Sequence, residues 1–325
     1  MKKIKKITIT ILLVLVAVIT SLLSYVKLAL PNVGEPETIT VEATPERIER
    51  GKYLANCVTV CMDCHSTRDW TKFSGPLVEG TLGKGGETFD QKFGFPGSFY
   101  SKNITPSGIG DWTDGELLRA ITCGVTKKGN PIFPVMPHPS YGRMDKEDIY
   151  SIVAYIRTLK PIANTVEDSK PDFPMNFIIN TIPKKAEFSK IPNKEDLLAY
   201  GAYMFNAAAC GDCHTKQDKG KPIAGMELAG GFEFPLFSGG IVRSANITPD
   251  KETGIGNWTE DAFVKRFKMY ADSAYVPQQV TKGMFNTVMP WTMYGKMSEE
   301  DLKAIFVYLK SQKAIKNSVT KFTAG

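Results

Sequence analysis

The chain repeats itself once, and this repeat constrains its fold more than any other feature of the sequence. Three segments of the first half, ERGKYLANCVTVCMDCH, NITPSGIGDWTDGELLRAI and NPIFPVMPHPSYGRMDKEDIYSIVAYIRTLK, return in the second half as AYGAYMFNAAACGDCH, NITPDKETGIGNWTEDAFVKRF and GMFNTVMPWTMYGKMSEEDLKAIFVYLKSQ. The offset between the copies stays close to about 150 residues. Such a tandem duplication excludes a single domain, and 325 residues are enough for two domains with separate cores.

Each copy contains two cysteines spaced two apart and followed directly by one of only three histidines. Two thiols on one helical turn can form thioethers with the two vinyl groups of a haem, and the next imidazole then lies under the iron. A zinc site would need two more ligands of matching spacing, and a thioredoxin-like motif gives the histidine no role. The sequence therefore predicts two covalently bound c-type haems. The predicted attachment and proximal residues are Cys61, Cys64 and His65, then Cys210, Cys213 and His214.

A methionine is the predicted second axial ligand of each iron. Only His138 remains outside the two motifs, so two bis-histidine haems are impossible. Met136 and Met289 occur in the same frame, each before a proline, and a thioether ligand raises the reduction potential. His138 competes with Met136 for one iron, although the second half has no counterpart to it. Met144 and Met297 also correspond, but they adjoin helix caps and are expected in the core.

Four further residues are candidates for contacts around the haems. Pro76 and Pro222 lie in matching segments soon after the proximal histidines, and a backbone carbonyl there would hold the imidazole Nδ1–H. Trp112 and Trp258 precede the middle helices, where an indole N–H could donate to a haem propionate. Ordinary packing in the core is the alternative for both tryptophans.

The net charge of +6 does not indicate a nucleic-acid partner, because its position in the chain explains it. Five of the 40 basic residues lie within residues 1–30, which contain no acidic residue, and the remaining basic residues nearly balance the 34 acidic ones. The exported part of the chain therefore has no basic patch of the kind that binds nucleic acid.

The N-terminal lysines precede an apolar run, ITITILLVLVAVITSLLSYV, which is long enough to cross a hydrocarbon core of about 30 Å as a helix. Lysines before the run and none directly after it predict a cytoplasmic N-terminus. We expect residues 1–30 to form a single anchor in the inner membrane, with the haem domains on the periplasmic side. A cleaved signal peptide is the alternative, although no clean cleavage site follows.

Periodicity predicts an all-α fold of two tandem haem-binding domains with an N-terminal transmembrane helix. The predicted domains are residues 45–162 and 194–315, joined by a linker at 163–193. Thr113 with Glu116 forms a capping box, and Asp145 and Ser298 cap the last helices of the two domains. Phe173, Phe177 and Ile178 predict a linker that packs along the domains.

Two cysteines, Cys57 and Cys123, remain outside the haem motifs. An even remainder in an oxidising compartment suggests a disulfide. The alternative is a pair of buried thiols. The second half has no equivalent pair.

The repeated patterns GxY…CxxCH, NITPD.ETGIGNWT and MP.xxY..M together resemble the cytochrome c subunits of bacterial membrane-bound dehydrogenases, such as those for alcohols, gluconate and aldehydes. The resemblance covers nearly all of residues 46–312. It implies cytochrome c folds with histidine–methionine haems and a relay of electrons from a periplasmic dehydrogenase toward quinone or an oxidase. The chain departs from the group in having two haem motifs, where those subunits often have three.

Two functions follow as hypotheses. The first is a membrane-anchored dihaem electron carrier whose partners are a dehydrogenase and a donor or acceptor of the respiratory chain. The second is a dihaem peroxidase, which needs an open distal site with acid–base groups beside it. Both halves instead present a methionine in the same frame, and His138 is the one residue that favours the peroxidase.

Overall fold

Helices and short strands occur in both halves of the chain, so the prediction of an all-α fold is wrong. In the computed structural model, which describes residues 2–325, helices make up 39% and strands 9%. The strands form mainly in the glycine- and proline-rich segments between each haem motif and the following middle helix. Strands of two to four residues carry no detectable period, which is why the sequence pattern missed them.

Thirteen α-helices are present within residues 2–325. They are α1 (Lys2–Leu28), α2 (Pro45–Tyr53), α3 (Cys61–Cys64), α4 (Pro106–Ile109), α5 (Asp114–Cys123), α6 (His138–Tyr141), α7 (Lys146–Arg157), α8 (Met175–Ile178), α9 (Leu197–Ala207), α10 (Cys210–His214), α11 (Glu260–Lys268), α12 (Trp291–Tyr294) and α13 (Glu299–Lys310). The predicted caps are confirmed: the box formed by Thr113 and Glu116 begins α5, Asp145 begins α7, and Ser298 begins α13.

The strands form three small antiparallel sheets. They are β1 (Thr88–Phe89), β2 (Gly97–Tyr100), β3 (Lys170–Pro171), β4 (Gln217–Asp218), β5 (Lys221–Pro222), β6 (Glu233–Pro235), β7 (Ile241–Arg243) and β8 (Phe322–Thr323). The sheet β1-β2-β3 includes the linker, and the sheet β6-β7-β8 includes the C-terminal segment. In each half a later segment of the chain thus completes the sheet that follows the haem motif.

A glycine lets the first and last helices of each unit cross closely. A Cβ atom at Gly51 would lie 1.8 Å from the Ser151 carbonyl oxygen, and one at Gly201 would lie 2.0 Å from the Ala304 oxygen. Any larger residue would separate α2 from α7, or α9 from α13. The glycine of the repeated GxY pattern is therefore required by helix packing.

The tyrosine of the same pattern joins the two units reciprocally. The Tyr53 hydroxyl donates to Asp301 on α13, and it accepts a bond from the Ser298 amide at the start of that helix. The Tyr203 hydroxyl donates to Asp148 on α7 at 2.6 Å, and it accepts from the Asp145 amide at 3.0 Å. Each unit therefore caps the last helix of the other, as a pseudo-twofold arrangement requires.

One irregularity distinguishes the first unit. Residues Leu54–Val58 form a π-helical turn between α2 and the first haem motif. The first unit has one residue more between Tyr53 and Cys61 than the second has between Tyr203 and Cys210. A π-turn absorbs a single inserted residue without breaking the helix, so the motif keeps its place.

Helix α1 has the length and apolar composition needed to cross a membrane, and its side chains have no buried contacts. Its end lies against the linker, where Lys27 Nζ donates to the Asn176 carbonyl at 2.6 Å. Phe173 is 80% exposed and Ile178 is 45% exposed. The linker nevertheless packs along the first unit, as predicted, since β3 pairs with β2 and the Glu187 amide donates to the Gly142 carbonyl at 2.8 Å. Phe173 and Ile178 take no part in that packing and lie near the end of α1.

Candidate haem-attachment sites

Each CxxCH motif begins a short helix directly after a strained residue. Val60 has a φ of 43° and Ala209 a φ of 50°, both in the left-handed region that non-glycine residues avoid. The same strain at equivalent positions turns the chain sharply, so that both cysteines lie on one turn of α3 or α10. Strain kept in both copies is typical of a functional site.

The proximal histidines have equivalent backbone partners. The His65 Nδ1 atom lies 2.6 Å from the Lys102 carbonyl oxygen, and the His214 Nδ1 atom lies 2.8 Å from the Ala245 carbonyl oxygen. A carbonyl oxygen can only accept, so Nδ1 carries the proton and the Nε2 lone pair remains free for a metal. Lys102 and Ala245 each directly precede an NITP segment.

The predicted role of Pro76 and Pro222 is therefore wrong. The Pro76 carbonyl accepts from the Asp69 amide, and Pro222 pairs with Gln217 in a hairpin. The two prolines are near the histidines in sequence, but the chain returns from the NITP segment to supply the carbonyl. Contacts of this kind carry no signal in local spacing.

The NITP segment is held by its own asparagine and threonine in the first unit. The Thr105 amide and hydroxyl both donate to Asn103 Oδ1, at 2.9 and 2.7 Å. Asn103 Nδ2 donates to the Ile162 carbonyl at 2.8 Å, and the Ile162 amide donates to the Thr105 hydroxyl at 3.2 Å. These buried bonds attach the loop to the chain just after the last helix.

The second unit repeats this network. The Thr248 amide and hydroxyl donate to Asn246 Oδ1, at 2.9 and 2.8 Å. Asn246 Nδ2 donates to the Ile315 carbonyl at 2.8 Å, and the Ile315 amide donates to the Thr248 hydroxyl at 3.2 Å. The repeated NITP pattern thus fixes the position of the carbonyl that binds each proximal histidine.

A glycine lies between the histidine and that carbonyl in each unit. The Gly85 amide donates to the His65 carbonyl at 2.8 Å, and the Gly230 amide donates to the His214 carbonyl at 2.8 Å. Both glycines have positive φ angles, 70° and 72°. A Cβ at Gly85 would lie 2.5 Å from the Lys102 carbonyl carbon, so only glycine fits there.

Burial favours the neutral forms of the histidines and cysteines in both motifs. Burial lowers the pKa of His65 and His214, which keeps both imidazoles neutral. Burial raises the pKa of Cys210 to about 12, with the neighbouring Cys213 and Asp212 adding to it, and burial also raises the pKa of Cys64. Within residues 2–325 no cluster of three or more His, Cys, Asp or Glu side chains could hold a bare metal ion.

The methionines predicted as distal ligands lie on similar half-buried loops. The Met136 carbonyl accepts from the His138 amide at 2.7 Å, and the Met289 carbonyl accepts from the Trp291 amide at 2.8 Å. Met144 and Met297 are 0% and 1% exposed, which confirms that they belong to the core. Ligation of iron by Met136 and Met289 remains a prediction.

His138 is fully enclosed by its own unit. The residue is 1% exposed, and a Cβ at Gly124 would lie 2.5 Å from its Nε2 atom. Burial lowers its pKa to about 4, against the opposing effect of a backbone hydrogen bond with Ile132. The ring packs under the loop that carries Met136, and it is not presented to an open face.

The two tryptophans lie differently. Trp112 packs partly against the core, and its carbonyl accepts from Arg157. Trp258 is 39% exposed. A bond from either indole to a haem propionate remains a prediction.

The sequence argument missed a pair of tyrosines beside the motifs. The Tyr141 hydroxyl donates to the Thr59 carbonyl at 2.8 Å, and the Tyr294 hydroxyl donates to the Ala208 carbonyl at 2.9 Å. Each bond fixes the turn that leads into a CxxCH helix. The tyrosine recurs in the MP.xxY pattern, so the repeat itself was the signal.

The two motifs lie near each other across the interface between the units. Burial raises the pKa of Tyr294 well above its ordinary value. Its own motif cysteines add to this effect, and so do Asp63 and Cys64 of the other unit. Burial acts on Tyr141 in the same way, and Asp212 of the second unit contributes there.

The possible disulfide is not present in the structure. Cys57 and Cys123 are both buried free thiols. Cys57 lies on the π-helical turn Leu54–Val58, which packs against α12 of the second unit, and burial raises the pKa of its thiol. Cys123 ends α5 beside Thr122, with the two side chains 3.6 Å apart. The alternative of two separate buried thiols agrees with this arrangement.

Comparison with known proteins gives a consistent result. The cytochrome c family model matches residues 198–313, which is most of the second unit, and gives no match for the first. The cytochrome c subunit of an alcohol dehydrogenase (quinone) from Gluconacetobacter polyoxogenes is 29% identical over 304 residues, covering 87% of this chain and 60% of that protein. The gluconate 2-dehydrogenase cytochrome c subunit of Pantoea cypripedii is 28% identical over 297 residues, covering 87% and 63%.

A third relative is shorter. A dihaem cytochrome c-type protein from Cereibacter sphaeroides is 28% identical over 271 residues, covering 78% of this chain and 82% of that protein. The chain spans about three fifths of the length of the dehydrogenase subunits that it matches. The resemblance seen in the repeated motifs is confirmed.

Proposed function

The chain is a homologue of the cytochrome c subunits of bacterial alcohol and gluconate dehydrogenases, and we propose that it is a membrane-anchored dihaem electron carrier. The observation that carries this proposal is the duplicated proximal site, in which each motif histidine binds the carbonyl before an NITP segment. A haem, when bound, supplies one-electron oxidation and reduction at its iron. The chain supplies attachment, orientation and exclusion of water.

The residues of both sites suit this work. The bond from Nδ1 to a carbonyl fixes the ring plane of His65 and of His214 and makes each imidazole a stronger electron donor. A methionine thioether on the other side would close the iron to small molecules. The nearness of the two motifs across the interface would allow an electron to pass between the haems within one chain.

Haem content tests the number of sites. Denatured protein should give two c-type haems per chain by pyridine haemochrome and by intact mass. Replacing Cys61 and Cys64 by Ala should halve the count, and the matched replacement of Cys210 and Cys213 should do the same. An unchanged count in either variant would refute that site.

The N-terminal segment supports a location at the membrane. Helix α1 is long and apolar, and exposed Phe173 and Ile178 lie beside its end, where an interfacial position would cover them. The protein should stay with membranes after a high-salt wash and retain Lys2 and Lys3 by mass spectrometry. A mature soluble chain that begins near Pro31 would identify a signal peptide instead.

The partner is proposed from the relatives. Their names describe cytochrome c subunits of dehydrogenases, so we expect a dehydrogenase as electron donor and a component of the respiratory chain as acceptor. Purification of the native complex in mild detergent, followed by identification of its subunits, tests this expectation. Co-purification of no oxidoreductase under conditions that preserve haem would contradict it.

The peroxidase alternative loses the residue that favoured it. His138 is 1% exposed and packs closely against Gly124, which favours the electron carrier over the peroxidase. Slow reaction with peroxide and carbon monoxide is therefore expected of the wild type. Rapid turnover of peroxide by the purified full chain would reverse this conclusion.

A further inference from the structure

Ser74 belongs to the first unit, but its side chain bonds only to the second. It lies in the loop after the first haem motif and is 0% exposed. Its hydroxyl donates to the Met289 carbonyl at 2.6 Å and accepts from the Trp291 amide at 3.0 Å. One hydroxyl from the other unit therefore holds the backbone directly after the predicted distal ligand, on both sides of Pro290.

The Met289 amide is held through the same residue. The Ser74 amide donates to Asn286 Oδ1 at 2.9 Å, and so does the Thr287 amide at 2.8 Å. The Thr287 hydroxyl then accepts from the Met289 amide at 3.1 Å. Asn286 is 2% exposed, so these bonds lie away from water, where losing one leaves a polar group without a partner.

A strained backbone and a buried ion pair hold the Ser74 side chain in its position. Its φ is 63°, in the left-handed region that costs a serine energy. Arg68 donates to the Ser74 carbonyl at 2.8 Å and to Asp63 at 2.9 Å. The Arg68 side chain is only 6% exposed. Asp63 lies between the two cysteines of the first haem motif, so a continuous polar link runs from that motif to the loop of Met289.

The loop of Met136 has no such brace at the methionine itself, and the second unit's hydrogen bond to this region comes further along the chain, from Asn206 Nδ2 to the Ser140 carbonyl at 2.8 Å. The hairpin after the second haem motif, β4 and β5, is largely exposed and bonds only within its own unit. The loop of Met136 rests instead on His138 and Gly124 of its own unit. The contact made by Ser74 is therefore not a general property of the repeated fold.

We propose that Ser74 is a positioning residue for the distal ligand of the second haem, by which the first unit controls how firmly Met289 stays on the iron. This inference rests on the proposed function, since it takes Met289 to be that ligand. The hydroxyl holds the Met289 carbonyl and the Trp291 amide, the two backbone groups that follow the ligand. Without it, the loop opens more often and the sixth position of the second iron becomes accessible.

Ser74→Gly tests the hydroxyl alone, because glycine accepts a positive φ without strain and keeps both backbone bonds. Ser74→Ala keeps the volume of the side chain and serves as a second variant. In the full-length protein in detergent, both should bind carbon monoxide at the second haem about tenfold faster, equivalent to the loss of about 1.4 kcal/mol. On heating, the near-infrared band of the second haem should disappear at a lower temperature than in the wild type. The band of the first haem should be unchanged.

Ser238→Gly is the matched control. Its hydroxyl donates to the Met284 carbonyl at 3.2 Å, on the same segment but before Asn286. This variant should behave as the wild type. Met289→Ala identifies the signature of an open second haem. If Met289→Ala opens that haem while both Ser74 variants react at the wild-type rate, the positioning role is refuted and the proposed function stands. If Met289→Ala changes nothing, the ligand assignment itself is wrong, and the inference falls with it.

Discussion

The two units hold their proximal histidines alike and their distal loops differently. In both, a carbonyl before NITP binds the imidazole, and a positive-φ glycine makes room for it. The loop of Met136 rests on its own unit through His138, whereas the loop of Met289 depends on Ser74 from the other unit. A duplicated chain can thus keep the attachment chemistry in both copies while it supports their distal loops differently.

The interface between the units shows the same imbalance. Asp148 is bound by Tyr203 and also by two bonds of 2.8 Å from Arg50, so its charge has a counter-ion. Asp301 is bound by Tyr53 and Tyr200 alone, and burial raises the pKa of both tyrosines, with the Asp301 charge adding to it. The second unit therefore depends more on the interface than the first does.

The largest expected effect separates the two distal ligands. Met136→Ala should open one haem to carbon monoxide and Met289→Ala the other, because each removes the thioether that closes an iron. Covalent attachment should remain at two haems per chain in both variants. Carbon monoxide titration of the reduced protein measures this. If both haems of either variant still failed to bind carbon monoxide, a different residue would be the ligand of that iron.

Replacing Gly85 or Gly230, the glycines between each proximal histidine and its carbonyl, should lower stability and shift the reduction potential by similar amounts in the two units. This effect should be smaller than the loss of a distal ligand. Gly85→Ala and Gly230→Ala place a methyl within 2.5 Å of backbone carbon, while Gly80→Ala meets nothing within 4 Å. All three carry the left-handed penalty of about 1–2 kcal/mol, and the first two add about 1–3 kcal/mol from displaced backbone. Only these two should also raise the reduction potential of their own haem, since the bond to the imidazole weakens.

Denaturant unfolding and redox titration together measure the glycine variants. If Gly85→Ala and Gly80→Ala had the same unfolding free energy and the same haem reduction potential, Gly85 would not control the position of the proximal carbonyl.

The smallest expected effect tests the imbalance at the interface. Tyr203→Phe leaves Asp148 paired with Arg50 and should cost about 1 kcal/mol of unfolding free energy, whereas Tyr53→Phe leaves Asp301 with one neutral donor and should cost about 2–3 kcal/mol. Thermal unfolding of the two variants gives the comparison. A larger cost for Tyr203→Phe would contradict it.

Much of each site could be predicted from the sequence, because the repeat marks every residue whose chemistry is local. The CxxCH motifs and the helix caps depend on neighbours within one or two turns. The carbonyls of Lys102 and Ala245 could not be predicted, since they reach the histidines from more than thirty residues away along the chain. Proximity in sequence pointed to Pro76 and Pro222 instead, and it was misleading.

The fold class and the exposure of Phe173 and Ile178 in the linker could not be predicted, for related reasons. Strands as short as β3 and β8 are paired by distant segments and show no alternation of their own. Apolar residues such as Phe173 predict burial, but they do not say whether protein or membrane covers them. The role of Ser74 could not be predicted from the sequence either, because it depends on contacts with the other unit and Ser74 has no counterpart in the repeat.

Near-infrared spectroscopy of the oxidised full-length protein tests most directly whether both units carry a histidine–methionine haem. The expected result is a weak charge-transfer band with the intensity of two thioether-ligated haems per chain. It should fall by half in Met136→Ala and by half in Met289→Ala, and vanish when both are replaced. A wild-type band of one-haem intensity, or a band that survives the double replacement, would contradict the account.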